Sequence, residues 1–152
     1  MKTLLLILVL SFAASAQTAK ERASAEGKAI VYIYAPSAVT TLVQIKKPVF
    51  VDDKEIADIR PERYFIVALA PGTHTFRMKN KKKVGGIEMN FEAGKTYYIR
   101  VNWSTGNIVF PIGLTKIEPE SGAYDVKQLE PVKPENIKEK SFVFTEVSKQ
   151  NK

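Results

Sequence analysis

No cysteine occurs among the 152 residues. That absence excludes a disulfide framework, a thiolate metal site and a cysteine nucleophile, and also the acylated cysteine of a bacterial lipoprotein. Histidine is nearly as scarce, with His74 the only one. A hydrolase needs a nucleophile, a base and an orienting group, or a metal with enough ligands. One imidazole, no thiol and no G-x-S-x-G elbow make a poor inventory for either. The expectation is a protein that is not an enzyme and has no catalytic residues, no cofactor and no metal. After the first residues no apolar run approaches the roughly 20 needed to span a bilayer, so a membrane span is not expected.

The amino terminus reads as a secretory leader. Lys2 supplies the positive region, Leu4 to Leu10 the apolar run, and Ala14-Ser15-Ala16 a small-x-small cleavage site. The chain from Gln17 is therefore expected to be secreted or periplasmic. Removing Lys2 with the leader lowers the 23 basic residues to 22 against 16 acidic, a net charge of +6. That balance favours anionic surfaces.

The expected organisation is a leader over 1–16, a flexible lead-in over 17–27, a β-sandwich over 28–130 and a loose Lys/Glu/Pro-rich tail over 131–152. AIVYIYAP (29–36) and RYFIVALAPG (63–72) are apolar on both alternating faces, as in strands buried on two sides. TLVQI (41–45) is a further strand candidate. PVFVDDKEIADI (48–59) reads as a hairpin turning at Asp52-Asp53-Lys54. THTFRMK (73–79) runs back from the Pro-Gly turn at 71–72. IEMNFEAG (87–94) and KTYYIRVNW (95–103) flank a glycine turn, and NIVFPIGLTKIEP (107–119) adds a strand with a break at Pro111 and Gly113. Short strands at such regular spacing predict an all-β, antiparallel β-sandwich. AYDVKQL (123–129) predicts a short carboxy-terminal helix, with Tyr124 and Leu129 or Val126 on the sheet. SFVFTEV (141–147) is a strand-like run suited to a sheet edge, in this molecule or another.

LAPGTHTFRM (69–78) and FEAGKTYYIR (91–100) align at their glycines. Their apolar faces have opposite parity, His74, Phe76 and Met78 against Tyr97, Ile99 and Val101, so the likeness is one of turn chemistry.

The run PVFVDDKEIADIRPERYFIVALAPGTHTFRMK (48–79), with its V-D-D-K turn and L-x-P-G-x-H-x-F element, resembles the PEGA-type modules of bacterial surface proteins. Those are small transthyretin-like or carboxypeptidase-regulatory-like β-sandwiches. With EAGKTYYIRV (92–101) behind it, the chain is similar over about 28–130 to a family of small exported proteins known only as a domain of unknown function. Its members are often lipoproteins. The resemblance implies a binding or structural role in the cell envelope and brings no catalytic set with it.

Three clusters are candidates for function. Lys79, Lys81, Lys82 and Lys83, with Lys46 and Lys47, offer a contact for an anionic envelope component, glycan or lipid head group, or for another protein. Aromatics do not interleave with them, so nucleic acid is not the expected partner. The alternative reading is a small hydrolase or metal-dependent enzyme using His74 with a carboxylate such as Glu88 or Glu92; the structural reading puts His74 at an inward position of a strand. Asp52, Asp53, Glu55 and Asp58 are dense enough for calcium but lack the spacing of an EF-hand, and Asp-Asp is ordinary turn chemistry. Trp103 continues the apolar face of Tyr97 and Ile99 and is expected in the core, and Asn102-Trp103-Ser104 is a glycosylation sequon.

Overall fold

A computed structural model describes residues 26–37, 46–78, 86–102 and 113–144. Ten strands appear there: β1 (Ala29–Ala35), β2 (Lys47–Val51), β3 (Lys54–Ile59), β4 (Arg63–Leu69), β5 (Gly72–Arg77), β6 (Ile87–Phe91), β7 (Thr96–Asn102), β8 (Gly113–Ile117), β9 (Glu130–Pro131) and β10 (Val143–Phe144), with one helix, α1 (Pro119–Val126). They form two sheets. The first runs β10-β4-β1-β7-β8 with β9 also beside β4, and the second runs β3-β2-β5-β6. The all-β sandwich holds. The candidate strand 41–45, the lysines at 79–83, Trp103 and the Pro111 break lie outside the described residues.

The patterns that select strands also explain the layers. Val31, Ile33, Phe65, Val67, Leu69, Ile99 and Val101 of the first sheet meet Val49, Val51, Ile59, Phe76 and Phe91 of the second in one core. The alternate residues Ile30, Tyr32, Tyr34, Ile66 and Tyr98 face the other way and form a second cluster under α1 with Val126. The apolar character on both faces of β1 and β4 therefore follows from a third layer, the helix, on the outside of the first sheet.

Two departures from a simple antiparallel meander stand out. β1 pairs with β4 antiparallel but with β7 parallel, Ile33 opposite Phe65 on one side and Ile99 on the other. The sheet is mixed. Secondly, β4 and β5 are not a hairpin, nor are β6 and β7: each pair splits between the sheets. One edge of β4 is taken by β1 and the other by β9 and β10, so β5 finds its ladder on β2 and β6. The chain crosses between sheets at Gly72 (φ 129°) and Gly94 (φ 73°), backbone angles that a side chain disfavours.

The β2–β3 hairpin forms as expected. Asp52 and Asp53 both have positive φ, 47° and 68°, the signature of a two-residue type I′ turn. Val49 faces Ala57 and Phe50 faces Glu55, so Ile56 is the extra residue of a bulge. The bulge puts both Ile56 and Ala57 in the core, where strict alternation would allow one.

The helix begins four residues earlier than expected, with Pro119 in its first turn and Gly122 N–H donating to Glu118. This start sets its buried face at Gly122 and Val126, one turn apart. Tyr124 consequently points outward and is 68% exposed rather than resting on the sheet.

The stretch after Pro131, expected to be loose, is tied down through Phe144. Val132 N–H donates to the Tyr64 carbonyl, Lys138 N–H to that of Ile56, and Ala68 N–H to that of Phe142. Ile137 bridges Ala57 on β3, and Val132 and Ile137 are buried. This strap runs from β4 to β3 and back to β4, lacing the two sheets together along one side. Lys138 reaches Asp58 at 3.2 Å, and the Lys54 ammonium sits 5.3 Å from the Phe142 ring centre. The 141–147 run thus pairs, through Val143 and Phe144, within its own chain.

Candidate functional site

His74 lies on β5 with its ring turned inward and its side chain 16% exposed. Nδ1 is 2.5 Å from Asp52 Oδ2 and Nε2 is 2.8 Å from the Ala70 carbonyl oxygen. The carboxylate partner is Asp52, from the β2–β3 turn, and neither Glu88 nor Glu92; Glu88 stands opposite Thr75, on the outward face of β5. Asp52 also accepts the Thr75 N–H through Oδ1, and the ring lies tilted against Phe91 at 5.9 Å. Both ring nitrogens are therefore engaged, and the imidazole joins the β2–β3 turn to the β4–β5 crossing. The neighbouring Asp53 does the same for Arg77, whose guanidinium is buried against it and stacks 4.9 Å over Phe50. Two aspartates thus occupy a turn whose backbone favours Asn and Gly, and their carboxylates hold His74 and Arg77 of β5. Among the described residues no group of three or more His, Asp or Glu is arranged to hold a metal ion.

At the opposite end of the second sheet, Lys46 and Lys47 open β2, and Arg60 follows Ile59, the register partner of Lys47. Met78 and Gly86, which flank the segment carrying Lys79, Lys81, Lys82 and Lys83, follow and precede β5 and β6 at this same end. Lys46, Lys47 and Arg60, apart in sequence, are thereby gathered at one end of the second sheet, away from Asp52 and Asp53.

A third site has no counterpart in the sequence reading. Beside α1 an open cleft of about 420 Å³ is lined by Pro36, Ser37, Glu62, Arg63, Asp125, Gln128, Leu129 and Glu130. Leu129 also borders a second hollow of about 350 Å³ walled by Tyr64 and Tyr98. Glu62 adopts positive φ, 63°, at the β3–β4 turn and accepts a hydrogen bond from Ser37. Arg63 pairs with Glu130 at 2.8 Å. Asp125 accepts from the buried Tyr34 hydroxyl at 2.8 Å. Residues 62 and 125 share no local motif, and only the docking of α1 on the first sheet brings them together.

Burial raises the Tyr34 phenol far above its ordinary value near 10, and the hydrogen bond to Asp125 and that carboxylate's charge add to the shift. The unfolded chain ionises near pH 10 while the folded one resists. The stability tied to this phenol is therefore present below pH 10 and is lost as pH rises above it. Tyr34→Phe should cost about 1–3 kcal/mol at pH 8 by removing a hydrogen bond to a charged group. It should also show a shallower fall in stability between pH 10 and 11.5, measured by urea unfolding.

The profile of a family described as "Protein of unknown function (DUF2846)" matches residues 25–114. The chain belongs to the DUF2846 family. The DUF2846 match takes in β1 to the start of β8 and stops before α1 and the strap. One wall of the cleft, Ser37, Glu62 and Arg63, comes from the DUF2846 segment, and the other, Asp125 to Glu130, from beyond it. An uncharacterized protein of Haemophilus influenzae (strain ATCC 51907 / DSM 11121 / KW20 / Rd) is 27% identical over 113 residues, which make up 74% of this chain and 66% of that protein. The chain thus spans just under two thirds of that relative's length. No solved structure matches this DUF2846 chain.

Proposed function

We propose that this DUF2846 protein is an exported, non-enzymatic binding module of the cell envelope or secreted fraction, related in its strand grammar to PEGA-type sandwiches. The observation that carries the reading is the state of His74. The chain's only imidazole has both nitrogens held, one by a carboxylate and one by a carbonyl, so it acts as a structural tie and offers neither nitrogen to a substrate. The leader-like residues 1–16 support export. The gathering of Lys46, Lys47 and Arg60 at one end of the second sheet, together with the presence of Lys79, Lys81, Lys82 and Lys83 in the sequence between β5 and β6, supports an anionic partner, such as lipid head groups or acidic glycan.

Reversing charge at Lys81, Lys82 and Lys83 together should abolish retention on an anionic matrix in low salt, with the wild type eluting as salt is raised. Unchanged retention of the triple variant removes the assignment of that surface. Mass spectrometry of protein recovered from the producing cells should find an amino terminus at Gln17.

A further inference from the structure

We infer that the cleft beside α1 is a binding site for a neutral saccharide, an inference that rests on the binding-module reading and names a ligand class for it. Glu62 and Asp125 present carboxylate oxygens, which accept hydrogen bonds and do not donate them, so the site asks for a ligand rich in O–H or N–H donors. Arg63, the one cation among the described residues of the polar hollow, is already matched by Glu130. Among the described residues, three carboxylates against Arg63, and against Lys127 of the adjoining hollow, leave the site with a negative balance, which disfavours an anionic ligand even though the chain as a whole is basic. Gln128 adds an amide that both donates and accepts. Past Leu129 the surface changes character to a row of tyrosine rings, the half-buried Tyr64 against Tyr32 at 6.2 Å and Tyr32 stacked on Tyr98 at 5.0 Å, with Lys127 at the margin of this second hollow. A pyranose has that same division, a rim of hydroxyls around a carbon–hydrogen face that rests on an aromatic ring. The two hollows, about 420 and 350 Å³, are in the range of small-ligand sites.

The test is amide NMR on the full mature chain with maltotriose and N,N′,N″-triacetylchitotriose as neutral probes, trigalacturonate as the anionic arm and 1,4-diaminobutane as the cationic one. The expected result is saturable shifts at Ser37, Gln128 and Leu129 with at least one neutral trisaccharide, at an affinity on the order of millimolar or better. Gln128→Ala and Asp125→Asn should each weaken it at least about tenfold; the asparagine keeps an acceptor for Tyr34 and so keeps the fold. No saturable shift with either neutral probe overturns the inference, as do unweakened binding in both variants and equal shifts from trigalacturonate or the diamine. Salt-sensitive retention on the anionic matrix reads the lysines and not the cleft. Loss of sugar binding with retention intact therefore rejects this inference alone, and the reverse result rejects the lysine surface alone.

Discussion

Gly122→Ala is expected to destabilise the protein by on the order of 2 kcal/mol, although replacing a helical glycine with alanine ordinarily stabilises by about 1 kcal/mol. A Cβ at this position would overlap Tyr98, meeting its Cβ and Cγ closer than carbon atoms approach and its Cδ1 at 2.8 Å. Tyr98 has no room to yield. Its Cβ is fixed by the β7 backbone, and its ring stacks on Tyr32 at 5.0 Å with 15° between the planes. The helix must instead lift away, which loosens Val126 and the Tyr34 bond to Asp125 together. Ser121→Ala, one position earlier and exposed, is the control, expected to be neutral or slightly stabilising. Chemical unfolding of the two variants decides the matter; a Gly122→Ala protein as stable as the control would mean that α1 does not sit on Tyr98 as described.

Ending the chain after Pro131 is expected to abolish cooperative unfolding. The strap buries Val132 and Ile137, 4% and 8% exposed, with Phe142 and Val143 partly covered against the same core. At about 1.5–3 kcal/mol for each fully buried apolar side chain, the first two alone contribute on the order of 3–6 kcal/mol. A whole domain of this kind is stable by only about 5–15 kcal/mol. The truncation also strips the outer edge of β4 at Ile66 and Val67, leaving an apolar strand open to edge-to-edge aggregation. A chain ending after Val147 retains every described residue and should unfold as the full chain does. Circular dichroism melts and light scattering of the two truncations test this directly. A shortened protein that remains monomeric with a sharp melt would show the strap to be an ornament.

These two results bear on what was legible in the sequence. The strands were legible because their alternation is local: the double-faced runs at 29–36 and 63–72, the Val-Phe-Val strand before Asp52, and the parity that turns Phe76 and Met78 inward. The hairpin turn was readable from its Asp-Asp pair, though neither its type nor the task of those carboxylates, since His74 and Arg77 lie more than 20 residues away. The parallel pairing of β1 with β7 leaves no mark within either strand. The split of β4 from β5 depends on who occupies the edges of β4, and half of that answer comes from residues after 130. The strand-like run at 141–147 was readable as a candidate for a sheet edge, whereas the Lys, Glu and Pro content of the tail hid the part of the strap that carries Val132 and Ile137, two apolar residues with no period between them. The cleft was invisible for the same reason. Its walls are turn residues and a helix end, polar positions that read as solvent until the fold sets them face to face.

The place of β1 has a kinetic consequence. The first strand of the domain is also the central strand of the first sheet, and its partners are β4, some 30 residues on, and β7, more than 60 on. No local hairpin holds β1 while it waits. A newly made chain must synthesise most of the domain before its middle strand acquires both neighbours, and closing so long a loop precedes the contacts that reward it. Folding in milliseconds to seconds, rather than microseconds, is the expected regime. Until β7 arrives, the segment AIVYIYA is an apolar strand with at least one edge open, the kind of surface that a chaperone shields.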